Sequence, residues 1–185
     1  MDRIQKLLEA VDRWADYTIK LRRRIHENPE LSYQEFETSA LVAGELARLG
    51  IPYVESPVKP GLIATIDSGK PGKLLLLRGD MDALPIQEET GLPFQSKKAG
   101  VMHACGHDIH TSNLLTVGAI LNEMKEAWSG RIRLVFQPAE EHGGGGREMI
   151  KAGLFDEMPD CCLGIHVWPD KQGRITLGRG YRTAY

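Results

Sequence analysis

Apolar residues near the start of the chain recur at helical spacing. Ile4, Leu7, Leu8, Val11, Trp14 and Ile25, with arginines and glutamates between them, predict one amphipathic helix over roughly the first 25 residues. Asn28-Pro29 stops it. A second helix is predicted from about Tyr33 to Leu49, with Phe36, Ala40, Ala43, Leu46 and Ala47 on one face and Gly50 placed to cap its carboxyl end. The period then changes. Gly61–Ile66 and Lys73–Leu77 are short apolar runs bounded by Gly, Pro and Asp, as expected of strands in a sheet covered on both faces. A third helix is predicted from His110 or Thr111 to about Ala127, packing through Leu114, Leu115, Val117, Gly118, Leu121 and Met124. Arg131–Phe136 reads as the next strand, 147–152 as a short helix and Cys161–Val167 as a last strand. Strands separated by helices predict an α/β fold, a three-layer sandwich with a largely parallel central sheet.

Length and composition narrow the classes of function. The chain has 185 residues, 42% of them apolar and 26% charged, which fits one ordinary soluble domain. With 23 basic and 25 acidic residues it lacks the basic footprint of a nucleic-acid binder. The exception is residues 171–185, which hold four basic residues and no acidic one. The longest pure aliphatic run is Leu74–Leu77, far short of a membrane span, and the first residues lack the continuous apolar core of a signal peptide. Three cysteines, two of them adjacent (Cys161, Cys162), make a poor disulfide framework. These features predict a cytoplasmic protein with no nucleic-acid or membrane partner.

The unusual residues cluster where strands or helices are predicted to meet loops, the place where functional groups collect in open α/β sheets. They are Asp80 and Asp82 after the Leu74–Leu77 run; His103, Cys105, His107, Asp108 and His110 before the third helix; Glu140, Glu141 and His142 after Phe136; and His166 after Cys161–Ile165. Singly, each has an ordinary structural role open to it. Asp-x-Asp pairs cap turns, adjacent glutamates are usually solvated, and the glycine run at 143–146 lacks the Lys-Ser/Thr pair of a phosphate loop. Three histidines and a cysteine within eight residues are harder to explain by packing. Cys105 and His107 flank Gly106, which removes a side chain that would crowd them, and their sulfur and nitrogen donors suit Zn²⁺ and its neighbours. With one glutamate and His166 the donor set becomes Cys, His, Glu, His. A carboxylate bound to a cation is a poor proton shuttle, so of Glu140 and Glu141 one would ligate and the other serve as base in metal-assisted hydrolysis. Two other readings stay open: a metal-binding or interaction protein without turnover, and a thiol enzyme using Cys105.

The strings Arg78-Gly-Asp-Met-Asp-Ala-Leu-Pro85, Met102-His-Ala-Cys-Gly-His-Asp108, Phe136-Gln-Pro-Ala-Glu-Glu141 and Gly164-Ile-His-Val-Trp-Pro169 resemble, in order, the metal-dependent amidohydrolase branch of the aminoacylase and carboxypeptidase family. The resemblance runs from the first helix to about residue 170. It implies the N-terminal part of a phosphorylase/hydrolase-like dimetal catalytic domain, with Cys105, His107, Glu141 and His166 as metal ligands, Glu140 as the general base and Asp82 orienting a ligand from behind. It assigns no catalytic role to Arg78 or Asp80. The implied cofactors are divalent ions, two per complete site, with Zn²⁺, Mn²⁺, Co²⁺ and Ni²⁺ not distinguished. The implied substrate is a small N-acyl amino acid or short peptide-like molecule. Members of that family are longer, adding a lid and dimerisation domain and a returning segment with a further histidine ligand. Residues 1–178 are thus expected to be a partial, truncated catalytic domain and 179–185 a basic tail outside the pattern. The missing strands predict an exposed sheet edge open to self-association.

Overall fold

The computed structural model describes residues 2–169, 173 and 175. The expected basic tail at 179–185, and all but Gly173 and Ile175 of the stretch leading to it, lie outside them. The elements run α1 (Arg3–Glu27), α2 (Phe36–Arg48), β1 (Tyr53–Glu55), β2 (Leu62–Asp67), β3 (Leu74–Asp80), α3 (His107–Glu123), a 3₁₀ turn (Lys125–Ala127), β4 (Arg131–Gln137), α4 (Gly145–Met149) with a π turn (Ile150–Leu154), and β5 (Cys161–Gly164). They form one five-stranded sheet in the order β1-β2-β4-β3-β5.

The α/β class is as expected. The parallel pairings are β3 with β4 and β3 with β5, so these three strands end on one side of the molecule. The far strands β2 and β1, the latter absent from the sequence reading, run antiparallel. Alternation along the central strands serves both faces. Ile132, Leu134 and Phe136 of β4 join Leu21, Ile25, Val42, Leu46 and Leu115 in the main core under α1, α2 and α3. Val135 and Leu76 point the other way, against Met149, Leu154 and Phe155. Two covered faces make three layers. The outermost strands are the least buried, and all four residues of β5 are exposed.

The helix faces differ from those predicted. In α1 the buried residues are Ala10, Leu21, Ile25 and His26, while Ile4, Leu7, Leu8 and Val11 are exposed, because the main core lies under the carboxyl-terminal half of this long helix, where Leu21 and Ile25 join it. The second helix starts at Phe36 rather than Tyr33, whose φ of 64° is left-handed, and Phe36 is 61% exposed. Leu46 is buried as expected, and Thr38, Ser39 and Val42 pack beside it. The third begins three residues earlier than expected, at His107, and ends at Glu123 before the 3₁₀ turn. It is buried almost all round, between α1 and the sheet, which is why its amphipathic signal is weak. The last strand ends at Gly164, freeing His166 for a loop. No helix among the described residues is long and apolar enough to cross a membrane.

A buried polar cluster ties α1 to the start of α3. His26 lies with its Nδ1 2.7 Å from Asp108 Oδ2 and its Nε2 3.1 Å from Glu88 Oε1; Arg22 Nε ion-pairs with Asp108 at 2.7 Å. Glu88 also accepts from the Thr90 hydroxyl and the Ser96 amide, which pins the irregular segment between β3 and α3. The Asp108 hydrogen bond holds His26 above its ordinary range, against burial and with help from Glu88. Burial alone would raise Glu88, but Thr90, Ser96 and His26 together bring it below its usual value. Neighbouring His103 is pushed down to about 4, mainly by burial, and stays neutral.

The signs fix a pH window. The Glu88 contribution is present above its unfolded value of 4.5 and is lost as pH falls beneath it; that of His26 is complete below 6.5 and is lost as pH rises through its raised folded value. The cluster is therefore most stabilising between about pH 4.5 and 6.5. Urea unfolding at a series of pH values should show His26→Gln costing about 3 kcal/mol near pH 6. The variant should also have a flatter alkaline limb than the parent.

Candidate metal centre

The carboxyl ends of β3, β4 and β5 deliver three of the four polar clusters to one place, and the start of α3 delivers the fourth. Asp80 ends β3 and Asp82 follows it; Glu140 and Glu141 follow β4; His166 lies two residues past β5; Cys105 and His107 flank the amino end of α3. Cys105, His107 and His166 each offer one ligand atom within 4.8 Å of the others, and His107, Glu140 and Glu141 do the same. His107 is common to both groups and completely buried.

Gly106 makes this convergence possible. As the residue before α3 it adopts φ 85°, and a Cβ there would fall 2.3 Å from Val167 Cγ2. The side chain it avoids would collide with the His166-Val167 loop. A non-glycine residue would push that loop away from the cluster.

Each histidine has its tautomer set by a partner. His107 Nδ1 lies 3.2 Å from Asp82 Oδ1 and so carries the proton, which turns Nε2 towards Asp80 Oδ2 (3.6 Å) and Glu141 Oε1 (3.7 Å). His166 Nδ1 donates to the Val167 carbonyl at 2.6 Å, leaving Nε2 3.5 Å from Cys105 Sγ. His110 Nε2 accepts from the Val167 amide at 2.9 Å, so its Nδ1 donates to Asp80 Oδ1 at 2.6 Å. Asp82 is further fixed by the Ser32 hydroxyl (2.6 Å) and the Glu141 amide (2.9 Å).

Four carboxylates, Asp80, Asp82, Glu140 and Glu141, surround little positive charge. Burial opposes the ionisation of Asp80, but His110, Arg78 and His107 hold it far below the usual carboxylate range. Burial, then the Glu141 and Asp80 carboxylates, push Glu140 up. Burial and the Glu141 carboxylate push the Cys105 thiol up to about 12, which disfavours a free thiolate nucleophile. Burial lowers His107, yet Asp82, Asp80 and Glu141 more than offset it.

The pocket fits a divalent cation. His107 Nε2 and Glu141 Oε1 are buried with no hydrogen-bond partner among the described residues. Unpaired buried donors and acceptors of this kind are costly unless something binds them. The set of one sulfur, two imidazole nitrogens and two carboxylates suits zinc and its neighbours.

All of the sequence-predicted residues, Cys105, His107, Glu140, Glu141, His166 and Asp82, come together here. The sequence alone gives Asp80 and His110 no role. Both belong to the cluster, where the Asp80–His110–Val167 chain braces the His166 loop. Their spacing was a usable signal: His110 lies one helical turn beyond His107, and Asp80 two strand positions before Asp82.

Comparison with known proteins identifies the family. The model of peptidase family M20/M25/M40 matches residues 76–180. A thermostable carboxypeptidase of Saccharolobus solfataricus is 49% identical over 170 residues, 90% of this chain and 43% of its own length. The N-acyl-L-amino acid amidohydrolase of Geobacillus stearothermophilus is 40% identical over 178 residues, 95% of this chain and 48% of its own. Among solved structures, the Bacillus subtilis YXEP protein, a dinuclear metal-binding peptidase of the M20 family, superposes with a TM-score of 0.82 at 41% identity, over 86% of this chain and 45% of its own. The chain thus spans less than half the length of these relatives. With more than half of its residues matched by the family model, the chain belongs to peptidase family M20/M25/M40.

Proposed function

We propose that this chain carries the metal centre of an amidohydrolase that cleaves the amide bond of N-acyl amino acids. The observation that carries the reading is the buried His107, shared between a Cys105–His166 group and a Glu140–Glu141 group, with its Nε2 and Glu141 Oε1 both unpartnered among the described residues. Cys105, His107, Glu141 and His166 would hold two divalent cations. Bound there, they would polarise the acyl carbonyl and make water acidic enough to ionise near neutral pH.

The residues then divide the work. Asp82 holds the His107 proton on Nδ1, so Nε2 is free to ligate. Glu140 accepts a proton from the attacking water and returns it to the departing amine. Its carboxyl is raised by burial and by Glu141 and Asp80, which makes it a better proton acceptor than an ordinary carboxylate. The N-acyl substrate class is supported by the names of relatives, including the N-acetyl-L-cysteine deacetylase of Bacillus subtilis, 46% identical over 152 residues.

Two substitutions test the assignment on the purified chain. Metal content by elemental analysis and hydrolysis of N-acetyl and N-benzoyl amino acids with added Mn²⁺, Zn²⁺ or Co²⁺ are the measurements. Glu140→Gln should keep the metal and lower turnover by about 10²–10⁴. Full activity in that variant removes Glu140 as base. Cys105→Ala should lose metal, and an unchanged metal content refutes its place as a ligand. Metal without turnover in the parent chain supports the centre and rejects hydrolysis by this chain alone.

A further inference from the structure

The segment joining α1 to α2 runs between the two loops that carry the acidic residues of the site. It is itself rigidly held. Leu31 bridges Ala83 in parallel, the Glu30 carbonyl accepts from the Ala83 amide at 2.7 Å, and the Glu30 carboxylate accepts from the Glu37 and Thr38 amides at 3.0 and 2.8 Å. From this base three side chains reach outwards. The Ser32 hydroxyl donates to Asp82 Oδ2, the same oxygen that accepts the Glu141 amide. Tyr33, held at φ 64°, donates its hydroxyl to the Gly143 carbonyl at 3.1 Å and lays its ring on Gly143, where a Cβ would fall 2.4 Å from Tyr33 Cε2. Glu35, with no exposed surface, accepts from the Ala139 amide at 2.7 Å.

Ala139 is the point of leverage. It has φ 51°, a left-handed conformation that alanine rarely adopts, and its carbonyl accepts from the Gly145 amide at 2.9 Å to close the 139–145 loop. A strained residue persists only where its surroundings over-determine it. The contact doing so from outside the loop is Glu35. The other carboxylate oxygen of Glu35 is buried and without a hydrogen-bond partner among the described residues.

We propose that residues 31–35 form a template for the Glu140–Glu141 loop, with Glu35 a positioning residue that acts through the Ala139 amide. The template rests on the preceding reading of Glu140 and Glu141 as the working carboxylates. Ser32 and Asp82 set the height of the Glu141 backbone, Tyr33 fixes the far end at Gly143, and Glu35 locks the turn at Ala139. Burial pushes the Glu35 carboxyl up to about 7, so glutamine, which keeps a carbonyl acceptor for the Ala139 amide, is a close substitute.

Hydrogen exchange read by mass spectrometry on the full chain, with no metal added, tests the template directly. Glu35→Ala should speed exchange in peptides covering residues 138–146 by about tenfold, as expected for loss of a buried hydrogen bond. Peptides from β3 and β4 should stay as protected as in the parent, and Glu35→Gln should remain close to it. Tyr33→Phe, which leaves Glu35 in place, should speed the same loop by a smaller factor and serves if Glu35→Ala does not fold. Unchanged loop exchange in Glu35→Ala, or in Tyr33→Phe when that variant stands in, overturns the proposal. So does an equal rise in β3 and β4, or loop exchange in Glu35→Gln as fast as in Glu35→Ala.

Zn²⁺ titration by calorimetry adds the functional link. Glu35→Ala should bind about tenfold more weakly than the parent. Glu35→Ala/Glu141→Ala should bind no more weakly than Glu141→Ala, since both act through one group. Additive losses count against positioning. A parent chain that binds no Zn²⁺ defeats the metal-centre reading, while the exchange pattern still decides the template.

Discussion

His107 is a fully buried imidazole set among carboxylates, and the arrangement around it is governed by the need to balance their charge. Carboxylates taken out of water are costly unless paired, and their mutual repulsion grows as the dielectric falls. Here the protein supplies Arg78 to Asp80 and hydrogen bonds to Asp82, but leaves His107 Nε2 and Glu141 Oε1 facing each other with no partner among the described residues. That imbalance is what a cation would relieve. The same constraint explains why α3 starts where it does: His107 must enter the pocket from the amino end of a helix that is itself buried.

Everything that fixes α3 therefore acts on the site. The helix lies over the parallel strands β3 and β4 and beneath α1, and its first turn is gripped from three directions. The Thr111 hydroxyl donates to the Asp80 carbonyl at 2.6 Å, His110 bridges Asp80 to Val167, and Asp108 takes His26 and Arg22 from α1. Asp108 and His107 are sequence neighbours whose side chains enter different clusters, Asp108 that of His26 and Arg22 and His107 that of Asp80, Asp82 and Glu141. A rigid foundation of this kind holds ligand geometry more closely than a loop alone could.

The sequence carried much of this in local form. The run of short apolar strands, the helix stop at Asn28-Pro29 and the donors clustered at strand ends were readable, because side-chain periodicity and donor chemistry depend on neighbours a few residues away. Strand β1, only three residues long and exposed, offered no alternation to read. The α1 stripe Ile4-Leu7-Leu8-Val11 was a true helical pattern, yet most of it lies off the core, since periodicity reports a face and not what covers it. The weak amphipathicity of α3 misled in the opposite sense: a helix buried on nearly all sides has no polar face to mark its limits.

What the sequence determined by itself was the chemistry available: Cys105, His107, Glu140, Glu141, His166 and the supporting Asp82. The tertiary structure decided which atoms face one another, and it brought in residues whose types carry no such signal. Glu35 meets Ala139 across 104 residues, His26 meets Asp108 across 82, and His110 meets the Val167 amide across 57. Such contacts leave no periodic trace, because they follow from where parallel strands end and how closely α3 sits on them. A glutamate at the start of a helix reads as an ordinary cap until the fold brings a strained alanine to its carboxylate.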